Sequence, residues 1–170
     1  MASLILTVVG PDRPGLVRAL SEAVAACGGS WLESRMARLA GQFAGIVLVE
    51  APESLLDDLR ALENQGLRIV VQSGSSEPVG PVVAHRLALE VVGNDRPGIV
   101  RDVTRVLADS GVNIEELTTG VSSGSFSGER LFRVTALVRA PDTAAVDGMR
   151  TGLETLGNEL MVDIQAAPEA

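Results

Sequence analysis

Two segments of the chain, VVGPDRPGLVR (Val8 to Arg18) and VVGNDRPGIVR (Val91 to Arg101), agree at nine of eleven positions and lie 83 residues apart. Each sets an acidic residue, an arginine, a proline and a glycine between an apolar run and the start of a helical pattern. A loop that leaves a strand tip and enters a helix presents unpaired backbone N–H groups and the positive end of the helix dipole, both of which attract a carboxylate. Gly15 and Gly98 carry no side chain at that point, so a ligand can approach the backbone closely. Asp12, Asn94 and Asp95 can accept hydrogen bonds from an ammonium group, and charge strengthens such bonds. Leu16 and Ile99, next in the chain, are expected to floor the pocket, and Arg13 completes the set of candidates. A carboxylate holder beside an ammonium holder describes an α-amino acid as ligand. The competing reading makes Asp12 and Asp95 helix N-caps worth about 1 kcal/mol each. In that reading Arg13 and Arg96 are solvated or paired with a nearby carboxylate.

The elements that position these residues follow from the repeat. A match of this length does not arise from composition, so each copy opens a repeated domain. Alternation places Leu4, Leu6 and Val8 on one strand face, as it does Leu87, Leu89 and Val91. Leu16, Leu20, Val24 and Cys27 then recur at helical spacing, matched by Ile99, Val103 and Leu107, while Arg18, Glu22, Arg101, Asp102 and Arg105 fall on the polar side. Gly28 and Gly111 stand where these helices end, because glycine accepts the left-handed cap conformation. Strands are expected at 30–39, 43–51 and 67–72 with a turn at 40–42 and a helix at 52–64. The second half repeats this with strands at 112–121, 131–139 and 159–165 and a helix at 142–156. APES (Ala51 to Ser54) and APDT (Ala140 to Thr143) mark the same strand-to-helix junction, with proline placed in the first helical turn.

The order β-α-β-β-α-β, twice, gives an α+β fold of two ferredoxin-like domains, antiparallel sheets with both helices on one face. The first domain is expected at 1–73, a linker at 74–81 within SGSSEPVGP, and the second domain at 82–167. The copies align without a gap to Glu33 and Glu116, after which the second hairpin carries the tract SSGSFSGE (Ser122 to Glu129), suited to a mobile loop. Domains of this size bury only about 60% of the surface of their unfolded chain, which favours pairing of the halves or of two chains, and a homodimer is the expected assembly.

Hydrophobic residues make up 46% of the 170, with three Phe, one Trp and no Tyr, and the mean hydropathy is +0.27. The N-terminal run lacks a basic flank and breaks at Gly10 and Pro11, which fits neither a signal peptide nor a membrane span. One cysteine, Cys27, suits a reducing cytoplasm and a packing role on the first helix. A net charge of −8 repels phosphates and anionic lipid, so no nucleic-acid or membrane partner is expected. His85 reads as a strand-end residue and not a catalytic one, and Trp31 as packing between domains. With no cluster of metal-ligand spacing and no CxxC, no cofactor or metal is expected.

The strand running into GPDRPGLV and GNDRPGIV, the helix ending at Gly111 and the strand opening VNI (Val112 to Ile114) resemble the ACT domain, a module that binds amino acids and similar small ligands. Two copies filling the chain, NIEEL (Asn113 to Leu117) and FSGERLFRV (Phe126 to Val134) look like the glycine cleavage system transcriptional repressor group. That resemblance implies a non-enzymatic regulator that senses an amino acid and represses through a protein partner. It adds Asn113 as a polar group reaching the ligand from strand two, where the first copy has Ser30. It also implies a switch, in which ligand held between the helix start of one domain and strand two of a neighbour alters the face offered to the partner. Two alternatives remain: an assembly module without ligand, and an acylphosphatase-like hydrolase using Arg13 or Arg96, whose glycine-rich loop this chain lacks.

Overall fold

The computed structural model describes residues 1–74, 84–123, 128–157 and 160–168. The chain divides into two compact units, Met1–Pro78 and Val79–Ala170. In the first, β1 (Ala2–Pro11), α1 (Leu16–Ala26), β2 (Ser30–Leu39), β3 (Gln42–Ala51), α2 (Leu55–Glu63) and β4 (Arg68–Ser73) follow the expected order. The second contains β5 (His85–Asn94), α3 (Ile99–Asp109), β6 (Asn113–Ser123), β7 (Arg130–Ala140), α4 (Thr143–Thr155) and β8 (Leu160–Ala166). The sheets run β2-β3-β1-β4 and β6-β7-β5-β8, with every pairing antiparallel. This is the ferredoxin-like α+β architecture read from the pattern.

Alternation decides which face of each sheet is covered. Leu6, Val8, Val47, Val49 and Ala51 are buried under Leu16, Leu20 and Val24 of α1 and Leu55, Leu59 and Leu62 of α2. Leu89, Val91, Val134, Ala136 and Val138 meet Ile99, Val103 and Leu107 of α3 and Met149 and Leu153 of α4 in the same way. At about 25 cal/mol per Å² of apolar surface removed from water, these clusters hold the units together. Trp31, half-buried, packs against the core of its own unit. Cys27 joins the same cluster as expected and donates from Sγ to the Val24 carbonyl.

Three local expectations change. The prolines lie ahead of the helices, not within them: the Pro52 carbonyl accepts from Leu55 N–H at 3.1 Å, and α4 starts after Asp142, whose carboxylate caps Ala145 N–H at 2.8 Å. Asp102, assigned to the polar side of α3, is buried. Of the tract Ser122 to Glu129, Ser122 and Ser123 belong to β6, while 124–127 lie outside the described residues, as do 75–83 of the linker region. The tight turn of the first hairpin is built on Ala40 and Gly41, both at positive φ (48° and 78°), the backbone that a two-residue connection between twisted strands requires. Strands β2 and β6 each carry one bulge at the same place in the repeat, at Leu32 and at Glu115, where the register with β3 and β7 shifts. No helix among the described residues is long and apolar enough to cross a membrane.

Candidate functional site

Each repeated loop starts as an extension of its central strand. Asp12 N–H donates to the Gly41 carbonyl at 2.9 Å and Asp95 N–H to the Arg130 carbonyl at 2.8 Å, so the aspartates are held at the sheet end. The chain then turns into the helix through Gly15 and Gly98, both left-handed at φ 90°. An L side chain there costs about 1–2 kcal/mol, which explains why the phrase keeps glycine in both copies. Neither helix receives a side-chain cap. The first-turn N–H groups of α1 and α3 therefore remain without a capping side chain, the condition that makes a helix start attractive to a carboxylate.

The aspartates are not caps. Arg38 forms an ion pair with Asp12, and Arg130 approaches Asp95 at 3.1 Å. An ammonium group arriving at Asp12 or Asp95 would share the carboxylate with an arginine. Leu16 and Ile99 are buried in their own hydrophobic clusters and anchor the helix starts from below. Asn94 is exposed at the end of β5.

The arginines of the two loops point to different partners. Arg13 donates from Nη2 to the Gln65 carbonyl at 2.6 Å, tying the first loop to the α2–β4 connection. Arg96 donates from Nη1 to Asp102 Oδ2 at 3.0 Å. Arg101 donates to Asp102 Oδ1 from Nε (3.0 Å) and Nη2 (2.9 Å). The bonds from Arg101 and then Arg96 hold the Asp102 carboxyl below the ordinary carboxylate range, against a smaller opposing effect of burial. The counterpart of Asp102 in the first copy is Ala19. A cleft of about 620 Å³ opens beside Asn94 and Arg96, walled by Val92, Leu131, Leu160 and Met161.

Asn113 stands at the other end of the second sheet. It faces Arg139, which faces Arg86 at the start of β5, whereas Asn94 ends that strand eight residues later. At about 3.3 Å per residue the two are roughly 25 Å apart. Within one unit the structure therefore brings together Asn94, Asp95, Gly98 and Ile99, and in the other Asp12, Arg13, Gly15 and Leu16, but does not bring Asn113 to either loop. Asn113 instead borders a groove against α3, with Thr104, Arg105 and Ala108.

Two groups escaped the sequence reading. One is Asp102. The other is Glu115, the bulge residue of β6, which accepts from Arg86 Nε at 2.8 Å and Arg139 Nε at 2.6 Å. Burial alone would raise the Glu115 carboxyl; the bonds from Arg139 and Arg86 outweigh it and hold it below its ordinary range. Arg86 also reaches the Pro168 carbonyl at 2.8 Å. The signal for both was the mismatch between copies, since Ala19 and Leu32 occupy the equivalent places. His85 is exposed, with Nε2 3.5 Å from Thr143 Oγ1.

The ACT domain family models match residues 2–72 and 88–147. The glycine cleavage system transcriptional repressor of Escherichia coli (strain K12) is 24% identical over 162 residues, covering 92% of this chain and 85% of that one. A crystal structure of an unknown protein from Galdieria sulphuraria is 32% identical, covers 98% of this chain and 99% of that one, and has a TM-score of 0.82. A solved structure of a candidate glycine cleavage system transcriptional repressor shares the fold, at 18% identity, 98% coverage of both chains and a TM-score of 0.65.

Proposed function

The chain belongs to the ACT domain family as a tandem of two such domains, and from that premise we propose that it is a non-catalytic regulator that binds an α-amino acid and acts through a protein partner. The observation that carries this reading is the pair of uncapped helix starts entered through left-handed Gly15 and Gly98, each beside a carboxylate held at the sheet end. The helix start takes the ligand carboxylate and Asp95 with Asn94 takes the ammonium. Likeness to the Escherichia coli repressor supports repression as the output and glycine as a first ligand to try. The net charge of −8 supports action through a protein partner over direct contact with DNA.

Because Asn113 lies at the far end of its own sheet, its contribution requires the helix start of a neighbouring domain, and a homodimer is the assembly proposed for the working unit. A ligand bridging two copies favours one arrangement over another, and a coupling of about 1–3 kcal/mol changes partner affinity roughly 5- to 150-fold. The first domain supports a structural role instead, since Arg13 is committed to Gln65 and Ser30 replaces Asn113.

The test is a thermal-shift screen of the full chain against the twenty amino acids, repeated on Asp95→Ala and Asn113→Ala. A ligand at about 100 times its Kd adds roughly 2.7 kcal/mol, a rise of several degrees for domains of this size. A shift lost in both variants supports the clamp; no shift with any amino acid overturns it in favour of an assembly module.

A further inference from the structure

Each sheet turns one face to its own helices, and the opposite faces of the two sheets differ in character. In the first domain Ile5 and Val9 of β1, Ile46 and Leu48 of β3 and Val70 of β4 share the side away from Leu6, Val8, Val47 and Val49. Alternation puts them there, since successive side chains of a strand point to opposite faces. Ile46 is 55% exposed and Val70 57%, and they flank Thr7 in the middle of the sheet.

The repeat allows the same places to be read in the second domain. The counterpart of Thr7 is Glu90, and it is flanked by Thr135 and Asp163. Ala44, beside Val9, is replaced by Arg133, beside Val92, and Arg133 forms an ion pair with Glu90. The second face therefore carries charge where the first is aliphatic. Charged groups favour water, whereas aliphatic side chains left in water forgo about 25 cal/mol per Å² that burial would return.

The size of the first face suits a second sheet. Its four strands, of which β1 and β3 have 10 residues each, give a flat footprint of roughly 19 by 30 Å. With side chains standing on it, this approaches the about 800 Å² per partner of a standard stable interface. Its border is polar: Glu33 and Arg35, an ion pair at 2.8 Å, stand on β2, and Arg68 and Gln72 on β4. An apolar centre within a polar rim is the anatomy of a protein interface. A hollow of about 240 Å³ beside Ile5, Ile46 and Leu48 gives an opposing side chain room to enter. One extended segment covers about 5 Å of width, whereas a sheet packed at about 10 Å covers all the strands.

We propose that this outer sheet face of the first domain joins two copies of the chain, face to face about a two-fold axis. Each copy supplies the same apolar centre, so the surface is self-complementary, as such an interface requires. This identifies the contact surface of the homodimer in the reading above; it rests on that assembly and not on the amino-acid clamp.

The experiment is sedimentation equilibrium of the full chain, which should show a reversible dimer at micromolar concentration. Ile46→Glu should raise the dissociation constant of the dimer about thirtyfold or more, as loss of a central interface side chain does. The double variant Ile46→Thr with Val70→Asp should do the same and is safe for folding, because the second domain already carries Thr135 and Asp163 at those places. Thr135→Glu, on the other sheet, should leave the dimer unchanged. A dimer that survives both face variants, or that Thr135→Glu weakens equally, overturns this interface and leaves the homodimer standing. A chain that is monomeric throughout overturns both, and a melting temperature that falls in the face variants without a change of mass means that the face is covered within a single chain. The clamp is read separately through the amino-acid thermal shift, which Asp95→Ala should abolish while leaving the ligand-free dimer intact.

Discussion

The two repeated loops share sequence, backbone and glycine cap, yet their arginines end on different neighbours. Arg13 crosses to the α2–β4 connection, and Arg96 turns back to the first turns of its own helix. One helix position decides this: a carboxylate at 102 offers Arg96 a charged acceptor nearby, and Ala19 offers Arg13 none, so the arginine reaches the next available carbonyl. A charged acceptor forms the stronger bond. The second difference lies at the bulge of the edge strand. Leu32 is 53% exposed, while Glu115 gathers two arginines that would otherwise face each other across β5 and β7 as like charges, an unfavourable pair when unrelieved. Duplication thus preserved the cores and the caps, and the copies diverged where a polar group could redirect an arginine.

The largest asymmetry between the domains is expected in acid. Asp102 and Glu115 both have lowered carboxyl pKa values in the folded chain. Each therefore contributes stability that is complete above the ordinary carboxylate range and lost as pH falls through the lowered value. Hydrogen exchange followed from about pH 5 down to about pH 3 should show the second domain losing protection before the first. Equal loss in both would mean that the arginine clusters contribute nothing specific.

Glu115→Ala comes next. It leaves Arg86 and Arg139 opposed and Arg86 nearly covered, at a cost of about 1–3 kcal/mol, the range for losing hydrogen bonds between charged groups. Leu32→Ala at the matching bulge should stay within about 0.5 kcal/mol, as exposed substitutions do. Urea unfolding of the two variants measures the contrast, and similar costs would break it. Gly15→Ala and Gly98→Ala sharpen the shared part of the comparison: each should lose about 1–2 kcal/mol to the left-handed backbone, and Gly98→Ala should in addition displace Arg101, whose Nη2 would lie 3.0 Å from the new methyl group. The last test is the exchange Ala19→Asp, at a half-buried position beside the first core, which should draw Arg13 off the Gln65 carbonyl. A crystal structure of that variant with Arg13 still on Gln65 would show that position 19 does not decide the partner.

Much of this was legible in the chain itself. The repeat announced two domains, the period of two in Leu4, Leu6 and Val8 and of roughly four in Leu16, Leu20 and Val24 named the covered faces, and Gly28 and Gly111 marked helix ends. These features are local: a strand alternates and a helix turns wherever the residues fall, and a left-handed position excludes most side chains in any fold. The loop residues of the candidate site were legible for the same reason, being consecutive.

What the sequence could not determine were relations between segments far apart. Arg13 meets Gln65 across 52 residues, Glu115 meets Arg86 across 29, and Asn113 lies a sheet's length from the loop it was grouped with. Asp102 looked like an exposed polar-face residue because helical periodicity assigns faces, not neighbours; its burial depends on two arginines folding over it. The tertiary structure alone chose these partners, because a charged side chain takes whichever acceptor the packing of non-adjacent elements brings within reach, and periodicity along one segment carries no record of that choice.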